Sequence, residues 1–222
     1  MSQDIGVAEL GEMFRNAAAL IRERHKHLSE LDCVAGDGDH GSTMLRAVEQ
    51  LERAAANNPV GPRELLRDAG WNVMGVDGGA SSALVGTFFA GMADVPGEGA
   101  SLDSSQVVAA FECGLAAVRR QTKAQPGDKT MMDALVPAIQ ELSEAVAEGA
   151  GVAGALQRAV EAAQAGAEAT RAMTARFGRA KYQGEKTLGH PDPGAVSIAL
   201  IFEGFYRGLR EPKGEVSNAG RG

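Results

Sequence analysis

Three aspartates, Asp32, Asp37 and Asp39, stand in a D-x4-D-x-D arrangement within the segment LDCVAGDGDHG, with Gly36, Gly38 and Gly41 between and after them. Carboxylates held this close repel one another, so gathering three is unfavourable unless a cation neutralises the group. Hard carboxylate oxygens select Mg²⁺ or Ca²⁺ over metals that favour sulfur. The glycines allow the positive φ values and close backbone approach that a loop folding around an ion or phosphate requires. An EF-hand register does not fit: with Asp37 as first ligand, Gly41 falls at the fifth position and Val48 at the twelfth, where a glutamate is needed. The competing reading is that Asp37 or Asp39 caps a helix beginning near Ser42, but capping uses one residue and not three. His40 reads either as a ligand or general base or as a hydrogen-bonding support. Ser42 and Thr43 open the helix, where free N–H groups and hydroxyls make either a phosphate site or a simple cap.

Three further breaks carry related chemistry. In DGGASSALVG, residues 77–86, two glycines, Ala80, Ser81 and a second serine precede an apolar run, a helix start suited to phosphate and equally to a turn and cap. In QPGDKTMMDAL, residues 125–135, Pro126 and Gly127 make a turn and Asp128 can cap. Lys129 reads as pairing with Asp128 or facing water rather than as neutralising phosphate. Met131 and Met132 offer a pliable apolar wall to an adenine ring, or core packing. The run GRAKYQGEKTLGHPDPG, residues 178–194, is long for a connector, as lids and binding loops are. Within it Arg179 is a candidate phosphate contact or a solvated surface charge, and Asp192, Pro193 and Gly194 form a rigid corner that faces a ligand or starts the last helix.

These breaks are positioned by amphipathic helices. Apolar residues recur at three- and four-residue steps along Val7, Leu10, Phe14, Ala17 and Ile21, along Leu66, Ala69, Val73 and Val76, along Val108, Phe111, Leu115 and Val118, and along Met132, Leu135, Ile139, Leu142 and Val146. Further helical windows cover 42–56, 80–93, 151–175 and 194–209, about eight helices in all, with almost no strand signal. Short connections make sequential helices antiparallel neighbours, so alternate connections share one end, and the four chemistry-bearing breaks then converge. Residues 94–101 read as a solvent loop, residues 1–210 as one domain, and the polar tail 211–222 as disordered.

Composition narrows the function. The 222-residue chain carries a net charge of −7 with pI near 5.2 and shows no clustered basic face, which argues against broad nucleic-acid binding. Two cysteines, Cys33 and Cys113, without paired-thiol spacing suggest neither a disulfide framework nor a zinc ribbon. Asp4, Glu9 and Glu12 stand where a signal peptide would be basic, and no apolar stretch reaches membrane-spanning length, so the expectation is a soluble cytoplasmic protein with no membrane partner.

Taken together, LDCVAGDGDHGSTM, GGASSALVGTFF, PGDKTMMDAL and GRAKYQGEKTLGHPDPGA resemble the DhaL family, the nucleotide-binding subunit or domain of dihydroxyacetone kinases, across residues 5–210. The resemblance implies an all-α antiparallel eight-helix barrel with the nucleotide site at one end. It implies two Mg²⁺ ions bridging ADP or ATP to Asp32, Asp37 and Asp39. Its nucleotide contacts fall on His40, Gly41, Ser42, Thr43, Ala80, Ser81, Thr122, Met131, Arg179, Asp192, Pro193 and Gly194; at Thr122 members of the family often have glycine. No catalytic side chain beyond the metal ligands is implied. The family's sugar site lies on a separate ketose-binding subunit or domain, and some members are recharged by a phosphohistidine donor protein. A different expectation is a nucleotide-loaded regulatory protein acting through partner contact without sugar turnover. A scaffold that has lost its ligand is a third, disfavoured by the intact carboxylate cluster.

Overall fold

The apolar stripes become helices in the computed structural model, which describes residues 4–34, 36–97 and 99–210. In chain order these are α1 (Val7–Cys33), α2 (His40–Ala56), α3 (Pro62–Met74), α4 (Gly79–Met92), α5 (Ser104–Gln121), α6 (Met132–Ala147), α7 (Val152–Ala169) and α8 (Pro193–Arg210). The first stripe continues through Leu28 and Leu31, which keeps α1 intact for 27 residues, up to the carboxylate segment. Pro62 starts α3 at the one turn where a missing N–H costs nothing. The chain ends assigned to a disordered tail, 211–222, lie outside the described residues.

Each helix packs against its neighbours in sequence, and α8 also packs against α1 and α6. The α1–α8 contact is close because glycines remove side chains from it: a Cβ on Gly204 would strike the backbone of Ala17, and one on Gly208 the backbone at Glu12 and Met13. Between the helices, Phe14, Phe88, Phe89, Phe111, Phe202 and Phe205 are buried, with ring centroids 5.5 to 6.2 Å apart, mostly edge-to-face or tilted. Burying each such ring contributes roughly 1.5–3 kcal/mol, which makes this cluster a main source of cohesion. No described helix is long and apolar enough to cross a membrane.

Three expectations are corrected. A short antiparallel pair forms between β1 (Ile5–Gly6) and β2 (Ser101–Leu102), joining the start of α1 to the approach to α5. The 94–101 segment is therefore no plain solvent loop: Val95 is fully buried and Ser101 pairs with Gly6. The window 151–175 ends early, α7 stopping at Ala169 and passing into a 3-10 turn at Thr170–Ala172.

Alternate connections do share an end. Those between α1 and α2, α3 and α4, α5 and α6, and α7 and α8 border one cleft, while those between α2 and α3, α4 and α5, and α6 and α7 do not.

Candidate functional site

Asp32 sits in the last turn of α1, and Asp37 and Asp39 follow in the loop leading to α2. The Gly36 N–H donates to the Asp32 carbonyl at 2.5 Å, and the His40 N–H donates to the Asp32 carboxylate at 3.2 Å, so both sides of the loop are tied to one residue. Gly38 has φ 78° and faces Cys33 Sγ, which a Cβ would approach to 2.6 Å. Only glycine meets both conditions. The result is that one carboxylate oxygen from each aspartate lies within 4.8 Å of the others, Asp32 half-buried and the other two exposed. Three anionic oxygens at that spacing fit a divalent cation with oxygen ligands. Asp37 also forms an ion pair with Arg179, a cation brought from the long segment before α8.

His40 opens α2 and is buried. Its Nδ1 lies 3.2 Å from the Ser81 hydroxyl and its Nε2 lies 3.2 Å from that of Ser197. Ser197 donates its single proton to the Gly194 carbonyl at 2.9 Å, which places the imidazole proton on Nε2 and leaves Nδ1 to accept from Ser81. Burial pushes the imidazole down to about 4, against an opposing pull from Asp32, so the ring is a neutral strut joining α2, α4 and α8. Of the two readings open for His40, the geometry supplies the hydrogen-bonding support.

The second break places Gly78 against α2: a Cβ there would collide with Thr43. Helix α4 then begins at Gly79, φ 69°, without a side-chain cap. Ala80 and Ser81 face the cleft, whereas Ser82 turns inward and donates to the Val76 carbonyl at 2.9 Å.

The third break is organised by a residue the motif reading passed over. Buried Asp133 accepts from the Gly127 N–H at 2.5 Å and the Thr130 N–H at 2.7 Å. Its signal was an acid in the first turn of a helix following Pro-Gly, which can fold back over the turn as a cap. Lys129 departs from expectation: it is buried, and its Nζ donates to the Thr170 carbonyl at 2.6 Å and the His190 carbonyl at 2.5 Å, neither facing water nor pairing with Asp128. Burial lowers its pKa, opposed by the carboxylates of Asp192 and Asp133. Met131 and Met132 are both buried core residues, as the packing reading expects, and both also border the cleft. Thr122 accepts from the Ala124 N–H at 3.1 Å at the cleft wall.

In the fourth break Asp192 starts the last helix and also borders the cleft. Its carboxylate accepts from the Ala195 N–H at 2.7 Å, capping α8, and it lines the cleft beside Pro193 and Gly194. Protein packed around the carboxyl pushes it up to about 7; the Ala195 N–H and Lys129 pull the other way, and Asp133 adds to the rise.

The four breaks enclose a cleft of about 280 Å³. His40, Ala80, Ser81, Thr122, Met131, Arg179, Asp192, Pro193 and Gly194 line it together with the three aspartates. Gly41, Ser42 and Thr43 do not. Gly41 is spent on helix contact, where a Cβ would strike the His25 carbonyl of α1; the Ser42 hydroxyl donates to the Asp39 carbonyl at 2.8 Å; Thr43 is fully buried under Gly78. Phe177 and Ser197, also in the lining, were not singled out by sequence because each looks like ordinary core or helix.

The family model for the DAK2 domain matches residues 34–207. The chain belongs to the DAK2 domain family. Asp32 falls just ahead of the matched span, so within that span the family pattern reaches Asp37 and Asp39. This DAK2 domain is 37% identical over 182 residues to the ADP-binding subunit DhaL of the PEP-dependent dihydroxyacetone kinase of Escherichia coli, covering 80% of this chain and 85% of that one. It is 40% identical over 187 residues to the triokinase/FMN cyclase of Rattus norvegicus, covering 83% of this chain but 32% of the relative. With the L-erythrulose 1-kinase of Mycolicibacterium smegmatis it shares 38% identity over 202 residues, 86% of this chain and 35% of that protein. The domain thus spans about a third of these longer kinases and most of the stand-alone subunit. Its fold matches the dihydroxyacetone kinase of C. freundii in complex with AMP-PNP and Mg²⁺, at TM-score 0.69 and 29% identity, over 93% of this chain and 35% of that one.

Proposed function

We propose that this DAK2 domain is the nucleotide half of a kinase for dihydroxyacetone or a related short ketose, holding Mg²⁺ with ADP or ATP in the cleft. The terminal phosphate passes to a sugar hydroxyl presented by a separate ketose-binding subunit. The observation that carries this reading is the carboxylate trio at the mouth of a cleft bordered by the starts of four helices. The relatives that are ketose kinases by name, and the solved relative with AMP-PNP and Mg²⁺, support it.

On this reading Asp32, Asp37 and Asp39 hold two Mg²⁺ ions. Bound there, the metal neutralises phosphate charge, the main requirement of phosphoryl transfer. Uncapped N–H groups at the starts of α2 and α4 face phosphate oxygens, with Gly41 and Ser42 contributing backbone rather than side chains, whereas the Thr43 N–H is taken by the Asp39 carbonyl at 2.9 Å. Arg179 exchanges Asp37 for phosphate when a cation takes the carboxylate. Met131 and the corner Asp192–Gly194 wall the nucleoside. The phosphorus–oxygen bond to the leaving diphosphate breaks as one to the acceptor hydroxyl forms, so no nucleophile is needed on this chain. The packing of α8 on α1 supports a barrel reading of the helix ring, with the nucleotide at one end.

The test is to denature the purified chain, identify any released nucleotide by chromatography, and measure ATP exchange into the intact protein. Retained ADP that resists exchange assigns a subunit recharged in place, for which we propose a phosphohistidine donor protein; the relatives named as ADP-binding subunits of PEP-dependent kinases favour this arm. Free exchange assigns an ATP-dependent kinase. A chain that takes up neither nucleotide in Mg²⁺ overturns the proposal; one that binds nucleotide but transfers no phosphate to any short ketose with its partner is a regulatory binder instead.

A further inference from the structure

Lys129 has a conformation and an environment that a surface lysine would not need. Its φ is positive, 60°, as among the described non-glycine residues only that of Asn58 is, at 52°. That region is unfavourable for an L side chain, and holding a residue there takes compensating contacts. The contacts are at the other end of the side chain. The buried ammonium donates to two carbonyls on different segments, that of Thr170 at the end of α7 and that of His190 just before the corner. Charge-assisted bonds of this kind are strong, and the Thr170 carbonyl that takes one also closes the 3-10 turn by accepting from the Met173 N–H at 3.1 Å.

Thr170 repeats the connection. Its hydroxyl donates to the Ala167 carbonyl at 2.5 Å and accepts from the Asp192 N–H at 2.8 Å. A third tie runs between Arg171 and Gly189: the Gly189 N–H donates to the Arg171 carbonyl at 2.8 Å and the Arg171 guanidinium to the Gly189 carbonyl at 3.0 Å. The last two ties connect the corner only to the end of α7. Lys129 alone among the three arrives from the α5–α6 connection, whose backbone Asp133 fixes through Gly127 and Thr130. Two residues on is Met131, a cleft wall, and the space beside Gly194 is so limited that a Cβ there would lie 3.4 Å from the Met131 Cβ.

We propose that Lys129 is a positioning residue for the nucleotide: its ammonium locks the Asp192–Gly194 wall of the cleft to the Met131 wall. It touches no reacting atom, and its effect is transmitted through the His190 carbonyl. The inference rests on the nucleotide reading for its consequence, while the lock itself can be measured without ligand.

The experiment compares wild type with Lys129→Met, which keeps the length of the side chain and removes the donors, and with Thr170→Val, which loosens the same corner should the first variant fold poorly. Amide hydrogen exchange without nucleotide reads the lock, and the dissociation rate of Mg–ADP reads its consequence. Lys129→Met should speed exchange at Gly189 and Asp192 by at least about tenfold, the loss expected for charged hydrogen bonds, with exchange at Ser82 and Thr43 across the cleft unchanged. Mg–ADP should leave faster by a similar factor, and Thr170→Val should shift both readouts in the same direction. Exchange that accelerates evenly along the chain, or not at all at 189–192, overturns the lock. If wild type takes up no Mg–ADP, the nucleotide reading fails, and the exchange data still decide whether the lock exists. Localised exchange with unchanged Mg–ADP dissociation overturns the positioning role.

Discussion

The two ends of the helix bundle are built from the same eight helices but solve different problems. At the end away from the cleft, side chains close the turns locally. Glu9 accepts from the Gly6 N–H at 3.0 Å, Asp103 from the Gln106 N–H at 2.9 Å, and Glu64 from the Val60 N–H. At the cleft end, polar groups go into the interior instead. Every buried polar or charged residue among those described lies there: His40, Thr43, Ser82, Lys129, Asp133, Thr170, Thr187 and Ser197. Each of their buried side-chain polar atoms has a partner. Positive-φ residues gather at this end too, at Gly38, Gly79, Gly127, Lys129, Gly178, Gly184 and Gly189, against Asn58, Gly97 and Gly149 elsewhere. The difference teaches that the cleft end is shaped for something other than reversing the chain. A fully bonded polar interior is rigid, and rigidity is what a site that positions charged groups requires.

The sharpest break in that comparison removes charge from the cleft end. Asp37→Asn or Asp39→Asn should weaken Mg²⁺–nucleotide binding by about two orders of magnitude or more, because each carboxylate offsets cation charge that an amide cannot. Without metal Asp39→Asn should melt at or above the wild-type temperature, since it relieves repulsion among the carboxylates and leaves the Asp37–Arg179 ion pair intact. Calorimetric titration with Mg–ADP and a melting curve in chelator check both halves; unchanged affinity in both variants removes the metal assignment. The opposite pattern belongs to the shared core. Phe205 packs against Phe14, Phe89, Phe111 and Phe202, so Phe205→Ala should cost about 3–5 kcal/mol in denaturant unfolding. The folded fraction should still bind Mg–ADP.

How much of this contrast was legible follows from the range of the forces involved. Helices were legible because an apolar stripe is a local pattern, and the carboxylate loop was legible because repulsion among Asp32, Asp37 and Asp39 is a local fact. The Ile5–Gly6 strand was not, since two residues carry no period and its partner lies at Ser101–Leu102. Lys129 was misread because its acceptors, Thr170 and His190, are 41 and 61 residues away. Thr43 read as a phosphate site or a cap because a hydroxyl at a helix start suits both, and Gly41 entered as a contact only through the family resemblance; the packing of α2 on His25 and under Gly78, which claims their side-chain positions, exists only in three dimensions.

A smaller effect separates the ends by pH. Asp192 is raised from 3.8 to about 7, chiefly by burial. Between those values the folded chain holds a proton that the unfolded chain has released. Its contribution to stability is therefore full below the unfolded value, falls as pH rises, and is lost above about 7. Asp192→Asn cannot titrate yet still offers an oxygen to the Ala195 N–H. The melting-temperature difference, variant minus wild type, should rise across this window and flatten above it. Taking the difference cancels His40, whose lowered pKa has the opposite sign. A difference that does not change with pH contradicts the assignment.

The smallest expected effect tests whether the far end is only a set of turns. Asp103 caps α5 in a reciprocal box with Gln106, whose side chain accepts from the Asp103 N–H at 3.1 Å. Asp103→Ala removes the side-chain acceptor but leaves the backbone N–H to Gln106, so the loss should be a small but measurable fall in the denaturant midpoint. Mg–ADP affinity should stay within error of wild type, because the cap and the cleft lie at opposite ends of α5 and share no hydrogen-bond partner. A change in affinity comparable to the change in stability would mean that α5 transmits strain along its length, and the two ends would then have to be treated as one cooperative unit rather than as scaffold and site.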